Sequence, residues 1–346
     1  MISKFRNKII FFGVLNALFF SLSGCYYSQS VIGHSRLMLA RKPVDKVIVT
    51  ADETLVAQLV LSKELKAFAI KELGLPESKS YDSYVALQRD FPVWVVVAAP
   101  EFSVNPKQWC YPVIGCASYR GYFKKQSAQN YADRIAKKGF EVSVGGAPAY
   151  STLGWFADPL LPSMMRYGDV EFAETLFHEL AHQRLYINGD SGFNEAFATV
   201  VGQEGAKRWL QKFRPDELKG YQDQINATAE FNSLIAQSKK ELEKIYQSDV
   251  DEPKKRELKE SAFTTLHKHY ETLKAQSWQG KGWFDGWFTR PINNARLASF
   301  STYYEQVPVL EELLNNCGND LPRFYEAVKK LGESKPIEID VACTVN

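Results

Sequence analysis

The chain has 346 residues, 45% of them hydrophobic and 13% aromatic, enough to bury a sizeable core in one large domain or two modest ones. Its 42 basic and 40 acidic side chains leave a formal charge of +2, which excludes a bulk electrostatic case for nucleic acid or an anionic surface. Partners must therefore be argued from individual sites.

The first stretch, MISKFRNKIIFFGVLNALFFSLSGCYYSQS, sets Lys4, Arg6 and Lys8 before an apolar run from Ile9 to Leu22 that is short for a membrane span. That is the layout of a cleaved signal. The run ends in Leu22-Ser23-Gly24-Cys25, which resembles a bacterial lipobox, where small residues admit the signal peptidase and the cysteine thiol accepts a diacylglycerol. Residues 1–24 are thus expected to be a lipoprotein signal peptide and Cys25 a lipid-bearing N-terminus. The alternative is an uncleaved anchor with an ordinary cysteine. Tyr26 follows instead of an aspartate, and similarity to lipoprotein sorting patterns implies the outer membrane, facing the periplasm. In that oxidising compartment Cys110, Cys116, Cys317 and Cys343 are disulfide candidates. Four cysteines allow three pairings, of which the local pairs, Cys110 with Cys116 and Cys317 with Cys343, are preferred; metal binding by Cys110 and Cys116 is the weaker alternative, since neither has a second Cys or His at finger-like spacing.

Helical apolar spacing runs through YSQSVIGHSRLMLARKP to Pro43 and through DETLVAQLVLSKELKAFAIKELGLP to Gly74 and Pro76. FPVWVVVAAP, Phe91 to Pro100, suits a buried strand. WCYPVIGCASYRGYF and FEVSVGGAPAYSTLG add strands around a helix from about Ser127 to Lys138. A helix from about Asp169 to Ile187 and another from about Ser191 to Phe213 flank an Asn-Gly-Asp turn, with Asp190 or Ser191 as cap. Residues 215–276, rich in Lys, Glu and Gln, predict a long charged helical hairpin that projects from, or packs across, the body. A protein partner for it is conceivable on charge alone, with a solvated face the simpler account. Residues 277–346 return to core-like composition and complete the catalytic region begun at 25–214. The expected class is α+β, predominantly helical.

TLFHELAHQRLYINGDSGFNEAFATVVGQEG carries the chemistry. In a helix, positions i and i+4 share a face, so His178 and His182 can both reach one Zn²⁺. Glu179 stands beside them as the base for zinc-bound water, whose pKa the metal lowers to about 7. Leu185 and Asn188 occupy the positions where a longer HExxHxxGxxH motif needs glycine and histidine. The third ligand must come from further on. Glu195 lies about four residues into the returning helix, level with His182 if the two helices are antiparallel. Asp190 is the runner-up, and Glu204 overshoots.

HELAHQRLY with DSGFNEAFATVVGQEG, VWVVVAAPEFSVNPKQWCYPVIGCASYRGYF, AYSTLGWFADPLL and NNARLASFSTYYEQVP together resemble a zinc aminopeptidase family of Gram-negative bacteria. The resemblance covers nearly all of the mature chain. It implies a zincin-like core with a small β-sheet and an HExxH helix, and a gluzincin-type mechanism: His178, His182 and Glu195 hold zinc, and Glu179 assists attack of zinc-bound water on a peptide bond. Tyr303, Tyr304 and Arg296, in a family-like segment, are expected to donate to the oxyanion or bind substrate. By similarity to zincin folds, Ala149, Tyr150, Ser151, Thr152, Leu153 and Gly154 form a strand that pairs with an extended peptide.

The Gly-x-Met-Glu-Asn stretch of gluzincin aminopeptidases does not occur, so Asp158 and Glu101 are the remaining candidates for a substrate ammonium, with turn formation the simpler role for Asp158. His267 and His269 are expected to face solvent, and His34 has no visible partner. The competing readings are a zinc endopeptidase or peptidoglycan-peptide hydrolase, and a non-catalytic envelope scaffold whose structural zinc has a closed fourth position.

Overall fold

The computed structural model describes residues 26–111, 115–152, 155–304, 306–333 and 342–343, without side chains at 115, 301–304 and 333. The expected signal peptide, the Cys25 anchor, Leu153 and Gly154 lie outside the described residues. No described helix is long and apolar enough to cross a membrane.

A first helix, α1, covers residues 26–39. The strand pair β1 (Lys42–Pro43) and β2 (Ser83–Tyr84) brackets α2 (Val44–Ile48) and α3 (Glu53–Leu73). The Asp52 side chain caps α3 by accepting from the Leu55 amide at 2.9 Å, and Gly74 ends it in the left-handed conformation, φ +65°.

The main sheet has three antiparallel strands in the order β6 (Arg120–Tyr122), β3 (Val93–Pro100), β7 (Phe140–Ala147). Val93 lies opposite Ala147 and Pro100 opposite Phe140, so β3 is central along its whole length. Its unbroken apolar run is explained by burial on both faces. Trp94 and Val96 pack with Tyr122, Ala128 and Ala132 on the side of α4 (Lys125–Ala136), while Val97 and Ala99 pack with Ala295 and Ala298 of α10 (Asn294–Tyr304). Between β3 and β6, β4 (Trp109–Tyr111) and β5 (Gly115–Ala117) form a hairpin whose facing residues Cys110 and Cys116 are joined by a disulfide.

The rest is helical: α5 (Asp169–Arg184), α6 (Ser191–Phe213), α7 (Pro215–Gln247), α8 (Glu252–Gln276), the short α9 (Asp285–Phe288), α10, α11 (Val307–Asn316) and α12 (Leu321–Glu333). The fold is α+β and mostly helical, with small antiparallel sheets. The largest core joins Leu59 and Leu65 of α3, Phe172 and Phe177 of α5, Phe193 and Phe197 of α6, Leu310 of α11 and Phe324 of α12. A second disulfide, Cys317 to Cys343, ties the end of α11 to the C-terminal segment.

The charged hairpin, α7 and α8, packs across the body. Phe231, Ile235, Leu242, Phe263, Leu266 and Tyr270 enclose their own core with Trp278 and Leu297. Polar ties fix it to the sheet: Lys259 pairs with Glu141 and donates to the Glu101 carbonyl at 2.8 Å, and Arg256 holds the Glu101 carboxylate through two bonds of 2.6 and 3.0 Å.

One expected strand is shorter than its sequence implied. β7 ends at Ala147, and residues 149–152 are irregular. Pro148 cannot donate to a ladder, and the Asp158 carboxylate instead draws in the Thr152 amide and hydroxyl, each at 2.8 Å.

Candidate metal centre

The helix that carries His178 and His182 forms because Phe172, Leu176, Phe177, Leu180 and Ala181 give α5 a continuous buried stripe, and Asp169 and Glu171 place negative charge at its N-terminus. It stops at Arg184, where Leu185 turns extended. The loop that reverses the chain is clamped from both ends. The Asn194 side chain accepts from the Ile187 amide and donates to the Ile187 carbonyl, both at 2.7 Å, while Asp190 caps α6 through the Phe193 amide at 3.0 Å. Asp190 is thus a cap, not a ligand.

α5 and α6 run antiparallel at close range because Gly202 has no side chain. A Cβ there would lie 2.9 Å from the Glu174 carbonyl oxygen and 3.2 Å from the His178 Cβ. This approach brings Glu195 level with the histidines. His178 Nε2 and His182 Nε2 are 3.2 Å apart, and Glu195 oxygens lie 3.3 Å from the first and 3.8 Å from the second. Ligands about 2.0–2.1 Å from a tetrahedral Zn²⁺ stand roughly 3.3 Å from one another, so the three side chains fit one ion. Among the described residues these three form the only such cluster. Glu204 points elsewhere, into an ion pair with Arg208 at 2.8 Å.

Burial, with His178 nearby, lowers the His182 pKa to about 4, keeping the imidazole neutral as a ligand must be. Burial also opposes charge on His178, but its hydrogen bond to Glu195 and the charges of Glu195, Glu179 and Glu174 outweigh this and raise it. Glu195 is lowered despite burial by the same hydrogen bond and by both histidines. Glu179 is pushed up to about 7, chiefly by burial; Glu195 and Asp158 add to the rise, while His178 and the Ser151 hydroxyl oppose it. Its Oε2 is enclosed and meets no hydrogen-bond partner among the described residues.

The substrate side departs from expectation. Of the predicted peptide-binding strand, Ser151 reaches Glu179 through its side chain, Thr152 serves Asp158, and Tyr150 bonds His34 Nδ1 at 3.1 Å. Ala149 packs against the main core. His34 therefore has partners, Phe156 included, at 4.7 Å between ring centroids. Arg296 is buried, and its guanidinium donates to the carbonyls of Trp287, Arg290 and Pro291. It pins the α9–α10 connection and is not free for substrate. Asp158 is fully buried and organises its own loop, and Glu101 is held by Arg256. The side chains of Tyr303 and Tyr304 lie outside the described residues. His267 and His269 are exposed, His267 stacking on Phe288 at 4.7 Å.

Three tyrosines that sequence reasoning missed lie within electrostatic reach of the site's carboxylates. Tyr119, between β5 and β6, is pushed up to about 12 by burial and by the charges of Glu195 and Glu179 among its neighbours. Tyr186 is raised by burial and by Glu195. Tyr81 is buried, its pKa raised by burial and by Glu179 and Asp158, and its backbone adopts φ +66°. A left-handed bulky residue is a strained feature that gathers at functional sites. Tyr186 follows His182 by four residues, a spacing that could have flagged it; nothing local marks Tyr81 or Tyr119.

Two imidazoles and a carboxylate converging across an antiparallel helix pair, with a second carboxylate beside them, define a site able to hold a metal ion next to an acid–base group. Over residues 25–340 the chain matches the family described as "Putative aminopeptidase", and it belongs to that family. No curated protein and no solved structure matches it.

Proposed function

We propose that the protein is a zinc-dependent aminopeptidase of gluzincin type with a zincin-like core. The observation that carries this reading is the convergence of His178, His182 and Glu195 at tetrahedral ligand spacing beside Glu179. Bound Zn²⁺ supplies Lewis-acid activation, lowering the pKa of water to about 7 and polarising a peptide carbonyl. His178 and His182 offer their Nε2 atoms, His182 already held neutral by burial, and Glu195 offers one negative charge. Glu179 takes the proton of the attacking water and returns it to the amine nitrogen as the C–N bond breaks, a task suited to a carboxyl with a pKa of about 7. The Ser151 side chain hydrogen-bonds Glu179 and favours its charged form. Tyr119 and Tyr186, both within electrostatic reach of Glu195, are the candidates for donation to the oxyanion.

Three ligands without a fourth among the described residues leave a position for water and substrate, which favours catalysis over a closed structural site. Two disulfides suit an oxidising compartment. With the Leu-Ser-Gly-Cys sequence they support a lipid-anchored protein of a Gram-negative outer membrane, facing the periplasm.

The family description favours removal of N-terminal residues. A second reading, endopeptidase activity, is favoured by the engagement of Asp158 and Glu101 with Thr152 and Arg256, which leaves neither free for a substrate ammonium. Hydrolysis of a mixed peptide library, read by mass spectrometry, tests both. Release of single N-terminal residues, lost on N-acetylation and absent in Glu179→Gln, is the expected result. Internal cuts insensitive to acetylation make the protein an endopeptidase, and no zinc-dependent cleavage contradicts the hydrolase reading.

A further inference from the structure

The helix α1 begins at residue 26, directly after Cys25, and one side of it is bound to the body. Gln29 donates to the Gly121 carbonyl at 3.4 Å and accepts from the Phe123 amide at 3.3 Å. A Cβ on Gly33 would lie 2.2 Å from the Phe123 ring, so the helix sits flush on the residue after β6. Leu37 enters the main core, and His34 bonds the Tyr150 hydroxyl. At the first residue of α1 the Arg120 guanidinium lies 3.8 Å from the centre of the Tyr26 ring, which also meets Tyr111 and Tyr122. The folded chain therefore begins, firmly held, one residue after Cys25.

The other side of α1 is exposed and apolar. Tyr27, Val31, Ile32 and Leu39 fall within an arc of roughly 140° at 3.6 residues per turn, and Val31 and Leu39 are 64% and 86% exposed. Trp155 and Phe156 extend this face: the Phe156 ring lies 4.7 Å from that of His34, and Trp155 is 85% exposed. These six side chains are half of the twelve large hydrophobics exposed among the described residues, so apolar surface is concentrated here and not scattered. The charge along the helix has one sign. Residues 26–44 contain Arg36, Arg41 and Lys42 and no Asp or Glu. Arg41 donates to the carbonyls of Met38 and Ala157, whereas Arg36 and Lys42 are exposed. An apolar outer face with cations and no acid suits a helix lying in a bilayer interface, its apolar side at the acyl boundary and its cations among anionic headgroups.

We infer that this face, the outer side of α1 with Trp155 and Phe156, rests on the surface of a phospholipid bilayer and fixes the orientation of the protein there. This rests on the lipid-anchored reading proposed above. The position of the patch decides its occupant, because the apolar run from Ile9 to Leu22 and then Cys25 immediately precede it. An anchor at that point presents the patch to the bilayer at high local concentration, so a contact too weak to recruit the protein by itself is enough to orient it.

The test uses the full chain, expressed with its leader, purified in detergent and reconstituted in vesicles of phosphatidylethanolamine and phosphatidylglycerol. Flotation reads membrane attachment. The photo-cross-linking residue benzoylphenylalanine, placed singly at Val31, Trp155 or Val250, reads which face meets lipid; Val250 is an exposed apolar residue between α7 and α8. Lipid adducts at Val31 and Trp155 are expected to exceed those at Val250 about tenfold, since the patch is held at the acyl boundary. Val31→Asp combined with Ile32→Asp is expected to lower the adduct at Trp155 about threefold or more while flotation holds, because the anchor is untouched. Lipid yields that are equal at the three sites, or nil, in a chain that floats overturn the inference and leave the anchor standing. So do protein adducts in place of lipid at Val31 and Trp155, which mark a protein partner or a second copy as the occupant. A wild-type chain that does not float removes the lipid-anchored reading and this inference together.

Discussion

The α5–α6 pair and the loop from Pro148 to Asp158 meet at Glu179, yet they are built on different principles. In the helix pair every functional atom sits on a regular element whose phase is fixed by buried apolar residues, and whose separation is fixed by Gly202. In the loop, position depends on single polar contacts, the Thr152–Asp158 bonds and the reach of Ser151 to Glu179. The lesson is a division of labour. The helices set the spacing of His178, His182 and Glu195, and the loop sets the surroundings of Glu179.

Substitutions can break that division, beginning where the effect is greatest. Glu179→Gln should cut peptide hydrolysis about 10³-fold or more while zinc stoichiometry, read by elemental analysis, stays at wild-type level. Equal zinc loss would place Glu179 among the ligands. His182→Ala should weaken zinc binding beyond the roughly 10–100-fold that follows loss of an outer partner, and chelator competition reads this directly.

Gly202→Val should wedge α6 from α5, since even a Cβ there meets the Glu174 carbonyl. Destabilisation of about 1–3 kcal/mol by denaturant titration is expected, together with weaker zinc binding. Unchanged zinc affinity would show that helix spacing does not set the ligand geometry. Thr152→Val should leave zinc affinity intact and lower kcat/KM by roughly tenfold, because Asp158 loses the hydroxyl that shapes the loop around Ser151. The smallest effect belongs to Arg256→Ala on the hairpin. It breaks an exposed ion pair with Glu101, so the melting temperature should move by no more than about 2 °C and activity should hold.

The same contrast explains what could be read from the sequence. The convergence of His178, His182 and Glu195 was legible because helical spacing converts directly into position: two histidines four apart, a reversal at Asn188-Gly189, and Glu195 a similar distance up the return. The buried strand from Val93 to Pro100 announced itself by composition, and alternate burial against α4 and α10 accounts for its unbroken apolar run. The loop half was not legible. Ala149 to Thr152 looks like an extension of β7, and only the buried Asp158 carboxylate, six residues beyond Thr152, explains why the chain turns instead. Arg296 looked free for substrate because sequence cannot show three carbonyls closing around it. Tyr81 and Tyr119 reach the site from the first half of the chain through tertiary packing, with no local pattern to mark them. In the hairpin, widely spaced Phe231, Phe263 and Tyr270 meet only when α7 and α8 pair, so a charged composition concealed a core.

The central claim is that His178, His182 and Glu195 hold one catalytic zinc ion. Anomalous X-ray diffraction at the zinc edge, from crystals of the zinc-loaded protein, tests it most directly. The account predicts a single peak bonded to both Nε2 atoms and a Glu195 oxygen, with the remaining position open to solvent beside Glu179. No peak at that point, or an ion enclosed by four protein ligands, would contradict it.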